Sequence, residues 1–432
     1  MISREEFEKL YDEKLKLKIK NTVKAYLKEV QTMNELAQSL KIDSHSTVSR
    51  HLGEACTLFL GKENKQNHAK LVEVFYWYKP ELVCRDRLNE LGVKDKLKLE
   101  STEGTVPLKS DFYVERSPIE SFCYQTIIQP GALIPIKAPR QMGKSSLLDR
   151  ILDRGRQEGY QTVRLNLRQI SAEKFADTNT FMRCFCSLIR KELALNLPQI
   201  DELWDDEIGG ASATGYLQAV LEGLENPLIL GLDEVDKVFD YEDVYQYFLP
   251  LLRSWHEEAN SLEIWENLRL VVVHSTEDYG RLDLNRSPFN VRSPVELRDL
   301  SPEEIADLAG RHQLNLTSPQ LEDLRALIGG HPYLVRLAFY RLARGDMSLE
   351  MLLENAATDA GIYQEHLLRH FDILNRNSAL KASFKQVIVS EEAVQIDSLQ
   401  SRKLYSMGAI VKQGNLVMPR CPLYRQYFRE RL

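Results

Sequence analysis

The sequence predicts a multidomain α/β protein, and three observations predict this fold class. The middle of the chain alternates apolar runs that are typical of parallel strands with helical patterns; these runs are 132–136, 162–167, 227–232 and 268–274. Residues 1–100 are mostly helical in pattern, with no proline before Pro80. The C-terminal 70 residues show helical patterns and then two short strands around the turn at 412–415.

A strand, a loop and a helix follow one another between Gly131 and Asp153. The loop fits the pattern Gly/Ala-x-x-x-x-Gly-Lys-Ser/Thr as Ala138-Pro139-Arg140-Gln141-Met142-Gly143-Lys144-Ser145, followed by Ser146, and Ala138 stands where many such loops have glycine. Backbone N–H groups at a helix start have no intrahelical partner and lie at the positive end of the helix dipole, so they can surround a phosphate. The sequence therefore predicts a P-loop, with an NTPase core built around it.

Single residues of this loop have separate expected tasks. Gly143 lets the backbone approach the anion without a Cβ in the way. Lys144 is expected to reach the β- and γ-phosphates, and the Ser145 hydroxyl to ligate Mg²⁺.

A second apolar run, 227–236, ends in two carboxylates. A buried parallel strand would deliver Asp233 and Glu234 to its carboxyl end, where ligands of such sheets bind. Asp233 would then hold Mg²⁺ through water, and Glu234 would orient and deprotonate the attacking water. The alternative is a core strand followed by a charged turn.

Composition is that of an ordinary globular protein. Of 432 residues, 43% are hydrophobic and 28% charged, and this length predicts two to four domains. No apolar run approaches the roughly 20 residues of a membrane span, and the N-terminus lacks the apolar core of a signal peptide, so we expect a cytoplasmic protein. The net charge is −7, yet residues 1–100 carry 19 basic and 16 acidic side chains, a balance of +3.

Residues 32–55 predict two short helices joined by a tight turn, which resembles a helix-turn-helix. In such folds the second helix enters the major groove of DNA, and the exposed polar side chains would be Ser46, Thr47, Ser49 and Arg50. The spacing is one residue longer than usual, and Lys41 stands in the turn where glycine is common. The alternative is an interaction domain of this shape that never touches DNA.

Five ordered segments carry a family resemblance, namely FYVERSPIE (112–120), PGALIPIKAPRQMGKSSLL (130–148), LRLVVVHSTEDY (268–279), SPFNV (287–291) and GGHPYLVRLA (329–338). Together they resemble the bacterial AAA-like domain family, a branch near the STAND and origin-recognition ATPases, over roughly residues 106–432. The resemblance implies that Val114 and Arg116 lie beside the adenine. The alternative for Arg116 is a surface salt bridge to Glu120.

The resemblance also implies residues that monitor the nucleotide. Ser275 falls where AAA-type ATPases place a polar sensor of the γ-phosphate, although it could instead cap the next turn. Gly330-His331-Pro332 matches the motif that closes over the base from a small helical lid. Arg336, one turn later, could act as a second sensor or be a solvated arginine on the helix surface. Ser301-Pro302-Glu303-Glu304 predicts a capping box with proline at the first helical position.

The predicted organisation has five segments. They are a helical helix-turn-helix-like domain (1–100), a linker (101–111), the P-loop α/β core (112–298), a helical lid (299–362) and a winged-helix domain (363–432). The winged helix could bind DNA, but in STAND-like relatives this unit more often packs on the ATPase and locks it, and we favour that interpretation.

These features predict an Mg²⁺-ATP-dependent molecular switch that hydrolyses ATP, and the resemblance implies a place in bacterial signalling or defence. One alternative is a DNA-remodelling ATPase of the origin-loader or transposition-regulator kind. Another is a nucleotide-bound adaptor that barely hydrolyses and recruits a separate effector protein through residues 1–100. ATP or ADP and Mg²⁺ are the expected cofactors. A homo-oligomer in which arginines such as Arg292 act in trans is also conceivable.

Overall fold

A computed structural model describes residues 4–91, 99–194, 197–276 and 294–432. The chain divides into two compact units, residues 1–98 and 99–432. The predicted motif at 287–291 and Arg292 lie outside the described residues. In the described part of the chain, no helix is both long enough and apolar enough to cross a membrane.

The first unit is helical wherever it is described. Its α-helices are α1 (Arg4–Lys9), α2 (Leu17–Lys28), α3 (Met33–Ser39), α4 (His45–Leu60), α5 (His68–Tyr78) and α6 (Arg85–Glu90). An aromatic cluster of Phe7, Tyr11, Phe59 and Phe75 lies at the centre of its core, with ring centroids 5.0–6.0 Å apart.

Helices α3 and α4 lie in the segment that is predicted to resemble a helix-turn-helix. Thr32 and Glu35 make a capping box at the start of α3, which fixes where this helix begins. The apolar positions Leu36, Ala37 and Val48 are buried between the helices. Lys41 in the turn has a φ of 53°, a conformation that glycine adopts more easily.

The second unit contains a parallel sheet. Its strands are β1 (Leu133–Ala138), β2 (Gln161–Asn166), β3 (Leu228–Asp233), β4 (Leu268–Ser275) and β5 (Val295–Glu296), and within the described residues their order is β2-β3-β4-β1-β5. All the pairs are parallel. The predicted α/β core is therefore confirmed.

Helices cover both faces of this sheet and bury continuous apolar strands, as expected of a parallel sheet. They are α7 (Ile119–Ile127), α8 (Lys144–Gln157), α9 (Thr178–Leu193), α10 (Ile200–Leu203), α11 (Ser212–Glu222) and α12 (Glu242–Glu258). Every residue of β3 and β4 is buried. Gly231 in β3 lets α8 approach closely, since a Cβ there would lie 2.9 Å from a methyl carbon of Leu148.

Four helices follow the sheet in the segment that is predicted to be the lid, and we keep that name for it. They are α13 (Pro302–Arg311), α14 (Ser318–Ile328), α15 (Pro332–Arg344) and α16 (Leu349–Asn355). The predicted capping box is confirmed. The Ser301 hydroxyl accepts a hydrogen bond from the Glu304 N–H at 3.2 Å, and Glu304 accepts one from the Ser301 N–H at 2.8 Å.

The C-terminal segment has three helices, a hairpin and a last helix. They are α17 (Gln364–Asn375), α18 (Ser378–Val389), α19 (Ser398–Ser406), the antiparallel strands β6 (Ile410–Gln413) and β7 (Leu416–Pro419), and α20 (Pro422–Arg429). Gly414, with a φ of 61°, lies in the predicted hairpin turn. This order of elements is the one expected for a winged helix.

The segment predicted as a linker, 101–111, is instead packed onto the second unit. The Val106 N–H donates to the Ser146 hydroxyl at 2.9 Å, and Arg150 donates to the carbonyls of Val106 and Pro107 at 3.1 and 3.0 Å. Its Gly, Pro and Ser content suggested a free linker, but side chains from the folded unit satisfy its backbone groups instead. We call residues 99–111 the strap.

Replacement of Gly330 by alanine should destabilise the second unit. A Cβ at position 330 would lie 2.3 Å from the carbonyl oxygen of Leu300, whose N–H donates to Gly330 at 2.8 Å, so the backbone would have to move. We expect a loss of about 1–3 kcal/mol in the free energy of unfolding, measured by urea denaturation.

Gly310→Ala provides a matched control. Among the described residues, a Cβ at position 310 in α13 meets no heavy atom within 4 Å. Alanine there should be neutral or stabilise by up to about 1 kcal/mol, because glycine is unfavourable inside a helix. Equal stabilities for the two variants would show that the contact at Gly330 is not tight.

Candidate nucleotide-binding site

The loop between β1 and α8 has the backbone that its sequence predicts. Gly143, which precedes α8, has a φ of 91°, and Gln141 has a φ of 62°. A Cβ on Gly143 would lie 3.4 Å from Nη2 of Arg116. Glycine is therefore favoured at 143 both by its left-handed backbone and by the arginine packed beneath the loop.

Lys144 lies largely inside the curve of the loop. Its Nζ donates to the carbonyl oxygens of Ala138 at 3.0 Å and Pro139 at 2.9 Å, and the residue is 8% exposed. The ammonium is thus held next to the helix N-terminus. Its expected contact with the β- and γ-phosphates stays a prediction.

The two residues predicted to bind the metal lie together. The Ser145 hydroxyl donates to Oδ1 of Asp233 at 3.1 Å. Asp233 is 1% exposed, and its Oδ2 accepts a hydrogen bond at 2.7 Å from Arg164 of β2. Hydroxyl and carboxylate oxygens are ligands that suit Mg²⁺, so this pair fits the predicted ion.

Burial raises the pKa of a second carboxyl here, that of Asp149. Arg164 compensates by pairing with Asp149, with 3.1 Å between Nε and Oδ1. A single guanidinium therefore joins α8 to the end of β3.

Glu234, the predicted catalytic carboxylate, directly follows β3. Its backbone has a φ of 54°, and its N–H donates to Oδ1 of Asp233 at 3.0 Å. Its Oε2 accepts a hydrogen bond from Nε of Arg168 at 2.5 Å. Ser275 ends β4, is 1% exposed and donates its N–H to Asp236 at 2.9 Å. Parallel pairing thus brings Glu234 and Ser275 to the same edge of the sheet.

Arg116 is neither solvated nor part of a surface salt bridge. It is 3% exposed, donates to the Met142 carbonyl at 2.7 Å and pairs with the buried Glu120, with 3.7 Å between Nε and Oε1. Glu120 also accepts hydrogen bonds from the Arg116 N–H and the Tyr113 hydroxyl, both at 2.8 Å. The predicted partner was correct, but the pair is buried and supports the loop.

A cavity of about 280 Å³ lies beside the loop. Eight of the predicted nucleotide-binding residues line it, namely Val114, Arg116, Gln141, Met142, Gly143, Ser146, Pro332 and Arg336. Strap residues Thr102, Glu103, Gly104 and Val106 form another part of its wall. The predicted adenine-side residues, the loop and the lid motif therefore meet around one space, whereas Ala138, Lys144 and Ser145 do not line it.

Arg336 is buried, not solvated. It is 7% exposed, and its Nη2 donates to the Ser101 carbonyl at 3.1 Å and to Glu100 at 3.4 Å. Its Nε has no hydrogen-bond partner among the described residues. The lid arginine thus contacts the strap; its sensing of the γ-phosphate stays a prediction.

Three histidines are buried where lid, loop and C-terminal segment meet. Nδ1 of His366 lies 2.8 Å from Oε1 of Gln141, and its Nε2 lies 2.7 Å from the Tyr424 hydroxyl. The Tyr424 hydroxyl is also 3.4 Å from Nε2 of His370. The His331 ring stands 5.2 Å from the His366 ring. We call His331, His366 and His370 the histidine cluster.

The residues predicted to contact DNA lie on α4 of the first unit. Ser46, Ser49 and Arg50 are exposed, whereas Thr47 is half-buried with its hydroxyl 3.3 Å from that of Ser44. The Arg50 side chain is 66% exposed and 3.9 Å from Glu54, a spacing at which an exposed pair contributes little. Their role in DNA binding stays a prediction.

Sequence reasoning missed four contributors to this site. Arg164 lies in β2 and Arg168 just after it. A charged residue in or next to an apolar strand is a signal in the sequence that could have indicated a functional position. Neither His366 nor Glu100 belongs to a sequence motif. His366 contacts Gln141, 225 residues away, and Glu100 contacts Arg336, 236 residues away. Only the fold brings them to the loop and the lid.

Mild acid should destabilise the second unit through the histidine cluster. Burial lowers the pKa of His331 and His366 well below 6.5 and that of His370 to about 3, and nearby Arg369 and Arg420 act in the same direction. The unfolded chain therefore binds protons more readily than the folded one below pH 6.5. Stability is fully present above that pH and falls towards pH 3, by about 1.4 kcal/mol per pH unit for each histidine.

Urea unfolding at about pH 7.5 and about pH 5.5 would measure this slope. His370→Phe should reduce the difference between the two pH values, because one buried titrating ring is removed. His45→Gln, at the exposed start of α4, is the control and should leave the difference unchanged. An equal difference in wild type and His370→Phe would contradict the prediction.

Comparison with known proteins agrees with this geometry. Residues 101–430 match the family described as AAA-like domain. An uncharacterized WD repeat-containing protein of Synechocystis sp. (strain ATCC 27184 / PCC 6803 / Kazusa) is 21% identical in an alignment of 323 residues that covers 67% of this chain. The chain spans only 26% of that relative's length.

Solved structures are similar in fold. The Walker-type ATPase of Pyrococcus abyssi has a TM-score of 0.54 at 15% identity, covering 73% of this chain and 96% of that one. The ORC2 protein of Aeropyrum pernix, in ADPNP-ADP complexes, has a TM-score of 0.45 at 17% identity, covering 75% and 94%. The family match extends over most of the second unit, and the loop and the parallel sheet agree with it. The chain belongs to the AAA-like domain family.

Proposed function

We propose that this protein is an Mg²⁺-ATP-dependent molecular switch of the STAND type, acting in bacterial signalling or defence. The observation that carries the proposal is that the C-terminal segment touches the P-loop directly. His366 bonds to Gln141 in the loop, and Tyr424 of α20 bonds to His366. A change in the conformation of the loop would therefore alter the contacts of the C-terminal segment.

Other contacts support the same arrangement. Arg420 pairs with Asp299, with 2.5 Å between Nη2 and Oδ1, and Thr276, just after β4, donates to the Ser406 carbonyl at the end of α19. A Cβ on Gly408 would lie 3.0 Å from Pro139 of the loop. This close packing on the ATPase suits a lock better than a free DNA-binding wing.

The cavity supports a nucleotide held by three parts of the unit. Val114 and Pro332 would lie on either side of the base, and the N–H groups at the start of α8 would hold the phosphates. Ser145 and Asp233 would hold Mg²⁺, which neutralises charge on the phosphates when bound. Glu234 would take the proton from the attacking water, since a carboxylate within hydrogen-bond reach is a competent general base.

ATP hydrolysis and nucleotide binding test this function. Glu234→Gln should retain a fluorescent ADP analogue but lower kcat by at least about 100-fold, because the general base is lost. Lys144→Ala should lose nucleotide binding. Lys191→Ala, an exposed lysine of α9, is the matched control and should behave as wild type. Absence of nucleotide binding in the wild type would refute the proposal.

Duplex DNA, added at about 50 and 200 mM salt, distinguishes the remodelling ATPase from the switch. Turnover that DNA stimulates, and that fades with salt, would favour remodelling, because several phosphates would be neutralised. We expect slow turnover that does not respond to DNA.

The contact between loop and C-terminal segment should slow nucleotide release. His366→Ala removes its bonds to Gln141 and Tyr424, and two neutral hydrogen bonds of about 1 kcal/mol each correspond to release at least about tenfold faster. Tyr424→Phe removes one of them and should have a smaller effect. Stopped-flow displacement of the fluorescent ADP measures both rates. Identical release rates in wild type, His366→Ala and Tyr424→Phe would show that this contact does not control nucleotide release.

A further inference from the structure

The strap is a loop whose two ends meet. Glu100, near its start, accepts a hydrogen bond from the hydroxyl of Ser110, near its end. Residues 99–111 contain no helix and no strand. A compact surface loop whose ends lie close together is an Ω-loop, and loops of this kind are frequently functional. The strap therefore has the form of a loop that covers a site.

The C-terminal half of the strap is bound firmly to α8. The Val106 N–H donates to the Ser146 hydroxyl at 2.9 Å, and Arg150 donates to the carbonyl oxygens of Val106 and Pro107 at 3.1 and 3.0 Å. The Arg150 guanidinium also lies over the ring of Tyr113, 3.4 Å from its centroid. These hydrogen bonds and the cation–π contact fix this half of the strap on the second unit.

The N-terminal half is bound more weakly. Nη2 of Arg336, in the lid, donates to the Ser101 carbonyl at 3.1 Å and to Glu100 at 3.4 Å, which is long for a charged hydrogen bond. Among the described residues, 102–105 form no hydrogen bond outside the strap. The contacts that hold this half therefore converge on Glu100 and its neighbour Ser101.

This weakly bound half borders the nucleotide cavity. Thr102, Glu103 and Gly104 line the cavity, whereas Glu100 and Ser110 do not. Movement of residues 100–105 about the fixed position of Val106 would open this wall. A nucleotide could then enter or leave while the P-loop and the predicted metal pair keep their places.

We propose that the strap gates the exchange of nucleotide, and that Glu100 is a positioning residue that keeps the strap closed. The proposal rests on the proposed nucleotide-binding function and adds a regulation of that site. The end of the strap that opens continues directly into the first unit, which ends at residue 98. A conformational change in the first unit would therefore alter nucleotide exchange through the strap.

Glu100→Gln tests the gate, because it removes the charge that pairs with Arg336 and leaves the cavity wall unchanged. A closed gate slows entry and exit alike. The association and dissociation rates of the fluorescent ADP analogue should both rise by about three- to tenfold, with the dissociation constant changed by less than about twofold. Ser110→Ala removes the other bond to Glu100 and should act in the same direction. Stopped-flow fluorescence measures both rates.

A double variant shows whether Glu100 acts through Arg336. Arg336→Gln by itself removes the lid side of the contact. In that background Glu100→Gln should change either rate by less than about twofold, because the interaction is already lost. An effect as large as that in the wild-type background would contradict this route.

Glu322→Gln is the matched control. Glu322 is also an exposed glutamate paired with an arginine, Arg325, but it lies on α14 of the lid and not in the strap. Its replacement should leave both rates unchanged, which excludes a general effect of one lost surface charge.

Two results would overturn the proposal. A rise in the dissociation rate alone would mean that the strap contributes contacts to the bound nucleotide and does not gate its path. Unchanged rates would mean that Glu100 does not keep the strap closed. The melting temperature of each variant shows whether it folds, and Ser110→Ala provides the same test if Glu100→Gln does not. Failure of the proposed function is distinct, because the wild type would then bind no nucleotide.

Discussion

The parallel register of β1, β3 and β4 is the constraint on which the site depends. Ala138, at the end of β1, pairs with Ser275 at the end of β4, and β3, which ends at Asp233, also pairs with β4. Three chain segments that are distant in the sequence therefore end at one edge. Because parallel strands all present their carboxyl ends on one side, each following loop meets the others there. A slip of one residue would turn every buried side chain to the wrong face.

Several carboxylates lie at that edge of the sheet, and neighbouring arginines pair with them. Asp149, Asp233, Glu234 and Asp236 lie close together, and Arg164 and Arg168 each join two of them. Removing either arginine would leave a buried carboxylate, Asp233 or Asp236, without its cation, which is costly. The two arginines therefore help to hold this edge together.

Much of this could be predicted from sequence, because local chemistry fixes local structure. The P-loop, the two carboxylates after β3 and the capping box at Ser301 each occur within a few residues, where pattern and geometry are directly linked. The exposure of Arg116 and Arg336 could not be predicted, since burial depends on segments distant in the chain. The family resemblance supplied the lid motif and Val114, which local pattern alone would not have selected.

The prediction of a linker at 101–111 differs from the structure for another reason. Its composition of Thr, Gly, Pro and Ser is equally compatible with a free linker and with a backbone held by external donors. Arg150 and Arg311 donate to carbonyls of the strap, and the Ser146 hydroxyl accepts a hydrogen bond from the Val106 N–H. None of these three residues is close in sequence to the group that it binds. The composition of a segment indicates its own conformational preferences, but it does not indicate which distant residues will form hydrogen bonds with its backbone.

The position of the strap decides where this protein can be divided. A fragment that began at Phe112, the start of the first family motif, would lack Thr102, Glu103, Gly104 and Val106 and so would leave one wall of the cavity open to solvent. Arg336 would lose both its partners, Glu100 and the Ser101 carbonyl, and would become a buried cation without a counterion. A fragment that keeps this wall and both partners of Arg336 therefore begins at Leu99, where the second unit begins.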